Sequence, residues 1–464
     1  MKRIAIVEPT VMFATVIQWL LLATITGALV GTATSFFLRT LFLFADRSFN
    51  APLWFQMLLL PLAGLANGLL LYYGYQNAPK DLKDSEILAV NAQRGAMPLR
   101  TAAIKPIAAL ITLWAGGSAG KEGPCSHIGA SVAAAIGQRL RLNAEIRKRL
   151  VACGVSAGFA SVFGTPVAGA IYGVEVLAIG RVRHDFLFPG IVASITALQV
   201  SRFWGVPYPT YHLPFASGFS QLLFLKTLGI GILGGVAAWW FVEAIQRVRQ
   251  ATDWLQKVTR VWRPLMPMIG GCILALLLIF APVNYLGLSL PTMYAALEGT
   301  QMPYLGAMWK ILFVALTLGS GFYGGVVTPQ FVIGAVAGSA FAHFFGLDPA
   351  LGAGVGFCSV VAAASNTPIA AIFMGVELFG GASSLYIAGA SIAAYLIIGH
   401  RSVYPEQQLA YTKTSWLTAS PDVMIGREKV QLSRGFLRWF SVHFGGQKLD
   451  LQTEQPPESE KKQK

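Results

Sequence analysis

Three glutamates stand out because each lies in an apolar or glycine-rich run, where a carboxylate has little water to keep it ionised. Glu122 sits in Gly116-Gly117-Ser118-Ala119-Gly120-Lys121-Glu122-Gly123-Pro124, ahead of a run of small residues. The glycines permit tight turns and Pro124 suits a first helical turn, so a helix is expected to start near Glu122. Such an N-terminus leaves amide groups unpaired and carries partial positive charge, and it takes an anion, a carboxylate or water. Glu122 therefore has the chemistry of a gate. Deprotonated, it fills an anion site; protonated or displaced, it leaves that site and carries a proton. Simple helix capping is the plainer alternative, although an ionisable group at membrane depth is by default a functional hypothesis.

A counterpart follows in the second half, Gly319-Ser320-Gly321-Phe322-Tyr323-Gly324-Gly325-Val326-Val327-Thr328-Pro329. Pro329 lies 205 residues after Pro124, and Ile333-Gly334-Ala335 lies 205 after Ile128-Gly129-Ala130. Two helix starts facing one another would hold a dehydrated anion on amides, without a full cation that would bind it too tightly for release. The other two glutamates belong to a second repeat. Thr165-Pro166-Val167-Ala168 ending in Glu175 returns as Thr367-Pro368-Ile369-Ala370 ending in Glu377, at an offset of 202. Both are read as structural acids that satisfy donors where helices begin or cross. The doubled pattern implies an internal duplication, which in a membrane chain points to a transporter.

The elements that must position these residues are membrane helices. The chain has 464 residues, 55% hydrophobic and only 12% charged, with a mean hydropathy of +0.58, too apolar for a water-soluble globule. Apolar runs such as Val11 to Leu38, Thr101 to Trp114, Ala307 to Leu318 and Leu385 to Ile398 are in several cases shorter than the ~20 residues of a spanning helix and are punctuated by Gly and Pro. That is the signature of broken or half-spanning helices. Lys2 and Arg3 lead to Glu8 and Pro9 before a long apolar run, read as a first membrane helix rather than a cleaved signal. The formal charge of +14 comes from clusters at 139–149, 181–184 and 247–263, which read as cytoplasmic loops, not a nucleic-acid surface. Cys125, Cys153, Cys272 and Cys358 have no ligand or disulfide spacing. The expected divisions are a membrane helix with its flank (1–50), a first repeat (51–210), a second repeat (211–405) and a polar cytoplasmic tail (406–464), disordered from Ser441 on.

At these motifs the sequence resembles the CLC family of chloride channels and chloride/proton antiporters, of the bacterial type without CBS domains. Gly120-Lys121-Glu122-Gly123-Pro124 is similar to the family's Gly-Arg-Glu-Gly-Pro, Gly325-Val326-Val327-Thr328-Pro329 to its Gly-x-Phe-x-Pro loop, and Gly399 to Pro405 to the segment with the inner-gate tyrosine, here Tyr404. The resemblance implies an all-α integral membrane protein of two inverted-topology repeats, with tilted and partly half-spanning helices. It further implies a homodimer with a pore in each subunit, in contact near 170–203 and 370–400, with no soluble cofactor, in the bacterial inner membrane. The partners would be chloride or a similar small anion, protons in the antiporter reading, and the bilayer.

Residues Gly120, Lys121, Gly123, Pro124, Gly325, Val326, Val327, Thr328 and Tyr404 would surround the anion, with Glu122 as gate. Three positions depart from the family pattern. Leu82 stands where the anion-coordinating serine is expected, with Ser85 as a substitute. Val176 stands at the internal proton site and cannot titrate, which puts a channel ahead of an antiporter. Val326 lacks the acid of a related fluoride-exporting branch, which counts against fluoride. From another class, Gly154-Val155-Ser156-Ala157-Gly158 matches the Gly-x-Ser-x-Gly nucleophile pattern of hydrolases; a run of small residues for close helix packing is the simpler account. His127 has no metal-ligand spacing.

Overall fold

The computed structural model describes residues 2–49, 52–75, 85–211, 213–214, 218–427, 430–433, 435–437 and 439. Leu82, Asp81 and Asp84 of the altered first loop, and the tail beyond 440, lie outside the described residues.

The first half contains α1 (Lys2–Phe49), α2 (Leu53–Tyr75), α3 (Glu86–Asn91), α4 (Thr101–Trp114), α5 (Glu122–Arg139), α6 (Ala144–Phe163), α7 (Pro166–Glu175) and α8 (Leu187–Phe203). The second half repeats the order with α9 (Gln221–Thr259), α10 (Met266–Leu277), α11 (Leu290–Leu297), α12 (Gly306–Gly319), α13 (Val327–Ala342), α14 (Pro349–Ala364), α15 (Pro368–Phe379) and α16 (Ser384–Ile397). The correspondence reaches the caps. The Asn143 side chain accepts from the Ile146 amide to open α6, and Asp348, 205 residues later, accepts from the Ala350 amide to open α14.

The two halves are inverted. Glu175 ends α7 and bonds the start of α15, while Glu377 near the end of α15 bonds the start of α7, so the two helices run head to tail. Glycine sets the close crossings. A Cβ at Gly129 or Gly154 would strike the other's carbonyl oxygen where α5 meets α6, and Gly334 and Gly356 repeat the arrangement where α13 meets α14.

Among the described residues, five helices are long and apolar enough to cross a membrane. Six more apolar helices among the described residues, including Thr101–Trp114, Gly306–Gly319 and Pro368–Phe379, fall short of that length. Large exposed apolar side chains such as Phe13, Phe36, Trp54, Leu58, Leu222 and Leu225 cover α1, α2 and α9, an outer surface suited to lipid.

One face collects the cations. Lys148 pairs with Glu145, Arg149 and Arg183 with Asp185, and Arg181 with Asp422. The first part of the tail is docked here: residues 408–409 pair in parallel with 178–179 and antiparallel with 423–424, holding the segment after Tyr404 onto the first repeat. Helix α8 starts beside this basic face, and its 17 residues carry the chain roughly 25 Å toward the opposite one.

Candidate anion site at two opposed helix starts

The loops before α5 and α13 meet in a short antiparallel bridge. Gly120 N–H donates to the Gly325 carbonyl at 2.7 Å, and Gly325 N–H to that of Gly120 at 2.8 Å. These two amides are thus used by each other. What the two glycines contribute is space, because a Cβ at either would collide with the Glu122 carboxylate.

That carboxylate crosses from its own helix to the other. Val327 N–H donates to Glu122 Oε1 at 2.6 Å, and Thr328 donates to Oε2 twice, through N–H at 3.1 Å and Oγ1 at 2.6 Å. All three groups are donors, so the cradle fits a deprotonated carboxylate or an anion in its place. Glu122 is 2% exposed, which removes the competition of bulk water.

The remaining sequence candidates take distinct places. Gly123 is pressed against Gly325, where a Cβ would meet the Gly325 backbone. Pro124 lies in the first turn of α5, and lacking an N–H it can shape that turn but donate nothing to an anion. Val326 precedes α13 with its apolar side chain against the core. The Lys121 ammonium lies 4.9 Å from the Phe42 ring and, with Thr328, Tyr208 and Tyr294, lines a cavity of about 400 Å³. Because Tyr208 follows α8, this cavity opens away from the basic face. Ser85 serves as N-cap of α3, accepting from Leu88 N–H at 3.4 Å.

On the other side, the Tyr404 and Tyr172 hydroxyls are 2.7 Å apart, and the strand formed just after Tyr404 leads onto the basic face. The Val176 carbonyl accepts from Gln407 Nε2 at 3.0 Å while its side chain packs in the core. Glu175 accepts from the Ile369 and Ala370 amides at 3.1 and 2.8 Å, and Glu377 from those of Val167 and Ala168 at 2.9 Å each.

Lys310 is a participant that the sequence reading passed over. It is fully buried in α12, and Nζ donates to Ser118 Oγ at 2.8 Å, Ser289 Oγ at 2.9 Å and the Gly287 carbonyl at 2.7 Å. It ties the Glu122 loop to the segment before α11. A single lysine inside the apolar run Ala307 to Leu318 was the available signal.

The rival motifs resolve differently. Ser156 lies mid-helix in α6, which follows another helix rather than a strand, and its hydroxyl donates to the Ala152 carbonyl at 3.0 Å. Gly158 and Gly154 serve helix contacts, so the nucleophile turn of a hydrolase is not formed. His127 is buried between Glu86, 2.7 Å from Nδ1, and Thr101 Oγ1, 3.0 Å from Nε2, joining α3, α4 and α5. No cluster of His, Cys, Asp and Glu suited to a metal occurs among the described residues.

Comparison with known proteins agrees with this architecture. The family model described as voltage gated chloride channel matches residues 63–399. A chloride/fluoride channel protein of Pseudomonas syringae pv. tomato is 36% identical over 408 residues, covering 85% of this chain and 87% of the relative. A putative chloride channel protein of Ralstonia nicotianae is 30% identical, over 70% of this chain and 78% of its own length. Among solved structures, a CLC-type fluoride/proton antiporter aligns with a TM-score of 0.78 at 30% identity, covering 84% of this chain and 98% of that one. A slow cyanobacterial chloride/proton antiporter shares the fold, with a TM-score of 0.70 at 21% identity over 82% and 94% of the two chains.

Proposed function

Because the chain belongs to the voltage gated chloride channel (CLC) family of anion-transporting membrane proteins, we propose that it exchanges a small halide, fluoride ahead of chloride, for protons, with Glu122 as both gate and proton carrier. The observation that carries this reading is the seat of the Glu122 carboxylate on the α13 amides and the Thr328 hydroxyl. An anion entering that cradle displaces Glu122, and a proton on Glu122 weakens its charge-assisted bonds and releases it. Fluoride is put ahead of chloride because the 30%-identical structure is named for fluoride and protons and the Pseudomonas relative for both chloride and fluoride.

A passive channel is the second reading. It is favoured by Val176, which leaves the internal proton position without an acid, while Val326 leaves the α13 loop without the acid of the fluoride-exporting branch and weighs for chloride over fluoride. In either reading the basic face is cytoplasmic by the positive-inside rule, and the cavity at Lys121 is the outer mouth. The dimer contact is assigned to the apolar side chains that α8, α15 and α16 leave exposed, Phe188, Ile195, Ile369, Phe373 and Ile392.

Reconstitution in liposomes under a fluoride or chloride gradient, with halide efflux and internal pH recorded together, tests the proposal. Uphill proton movement that disappears in Glu122→Gln supports exchange. Halide flux without protons establishes the channel reading, and chloride flux without fluoride flux overturns the selectivity.

A further inference from the structure

The two halves differ where α6 and α14 end. Helix α6 stops at Gly164, φ 75°, and the matching residue 202 positions later, one past the end cap of α14, is Asn366, φ 54°. Glycine takes this left-handed conformation freely, and asparagine takes it at some cost. The asparagine side chain is used. Asn366 Nδ2 donates to the Arg401 carbonyl at 2.8 Å and toward Gln407 Oε1 at 3.4 Å, while Oδ1 accepts from Lys413 Nζ at 2.6 Å. The Lys413 ammonium also donates to the Tyr395 carbonyl at 2.7 Å and lies 3.6 Å from the Tyr395 ring centre, and Lys413 N–H donates to His400 Nε2 at 2.9 Å.

From Asn366 the bonds continue to the gate. Gln407 Nε2 donates to the Val176 and Ser365 carbonyls at 3.0 and 2.8 Å, and Gln407 Oε1 accepts from Ser402 Oγ at 2.6 Å. The same Ser402 oxygen accepts from Tyr404 N–H at 3.0 Å. A lysine of the C-terminal segment is therefore linked, bond by bond, to the backbone of the residue whose hydroxyl meets Tyr172.

We propose that Asn366 and Lys413 are positioning residues that hold Tyr404 against Tyr172, so that the docked C-terminal segment restrains the inner end of the pathway. The inference rests on the proposed halide transport and on Tyr404 standing at its inner end, as the family resemblance implies. Geometry supports a restraint over simple packing: the linked groups come from α7, the α14–α15 turn, α16 and the tail, and their bonds converge on the one loop, 401–407. Removing a link leaves buried polar groups unpaired and lets that loop loosen.

The test uses full-length protein in liposomes and in detergent. Asn366→Gly keeps the left-handed backbone and deletes only the hook; Lys413→Met keeps the length of the chain and deletes the donors. Each is expected to raise halide turnover several-fold at an unchanged half-saturating concentration on the outer side, despite the loss of thermal stability that the unpaired groups bring. The double variant should match either single one, because both cut the same chain of bonds. Hydrogen exchange of the 401–408 amides should quicken in all three. Unchanged turnover and exchange, multiplicative effects in the double variant, or turnover that falls in step with thermal stability would overturn the inference. If the wild type moves no halide, the functional proposal fails, and the exchange data alone then decide the link.

Discussion

Glu175 and Glu377 form a closed pair, each at or near the end of one helix and holding the start of its repeat-mate through two amides. Glu122 does only half of this. It holds the start of α13, but the residue 205 positions later, which would return the favour to α5, is Val327. Under the proposed function, symmetric retention is what structural acids should show, and broken symmetry is what an acid that leaves its seat should show. The same contrast separates Gly164, which has no side chain, from Asn366, whose side chain ties down the inner loop.

The largest expected effect comes from breaking the closed pair. Glu175→Ala or Glu377→Ala orphans two amides, at about 1–3 kcal/mol for each group left buried, and should lower the thermal unfolding midpoint in detergent clearly. Glu122→Ala should lower it much less, since an anion or water can take the vacated cradle. Equal losses in all three variants would erase the distinction. Thr328→Val removes one donor to a charged group, worth about 1.5–3 kcal/mol, and should weaken halide binding about tenfold or more while leaving the midpoint close to wild type. Gly325→Ala places a methyl against Glu122 Oε1 and should raise turnover by displacing the carboxylate, without altering exchange in the tail.

The smallest effect concerns pH. Burial pushes the Lys413 ammonium down to about 6, from about 10.4 in an open chain. The docked form then binds fewer protons than the undocked form, so docking weakens as pH falls from alkaline values toward 6 and changes no further below it. Tyr395 of α16 faces this lysine, Glu175 acts on Tyr395, and burial together with the Lys413 charge lowers His400 as well. Protection of residues 408–418, taken relative to the intrinsic amide exchange rate at each pH, should therefore be lower at pH 6 than at pH 8.5 in the wild type, and Lys413→Met should lose most of that difference.

Much of the fold was legible because duplication prints the same residue types twice. The Thr-Pro starts and the Gly-Pro loops announced paired helix starts, and short apolar runs announced half-spanning helices. Which partner each acid takes was not legible. Glu122 reads as an occupant of a helix start near its own, whereas its donors lie 205 and 206 residues away, and no local pattern reports a pairing made by folding. Gly120 and Gly325 read as residues around the anion, yet the amide of each is consumed by the other strand of a bridge that only the approach of the two loops creates. The segment from 406 reads only as polar, and two-residue strands leave too little periodicity for its docking to be detected; its bonds to Asn366, a departure from the repeat, show only in the structure.

The most direct measurement is calorimetric binding of fluoride and chloride to purified wild-type protein and Glu122→Gln. If the carboxylate and the anion compete for one cradle, the variant loses the charge-assisted hold of its own side chain and binds halide about tenfold tighter or more. Equal affinity in the two proteins would mean that the anion does not use the site Glu122 occupies, and would contradict the account.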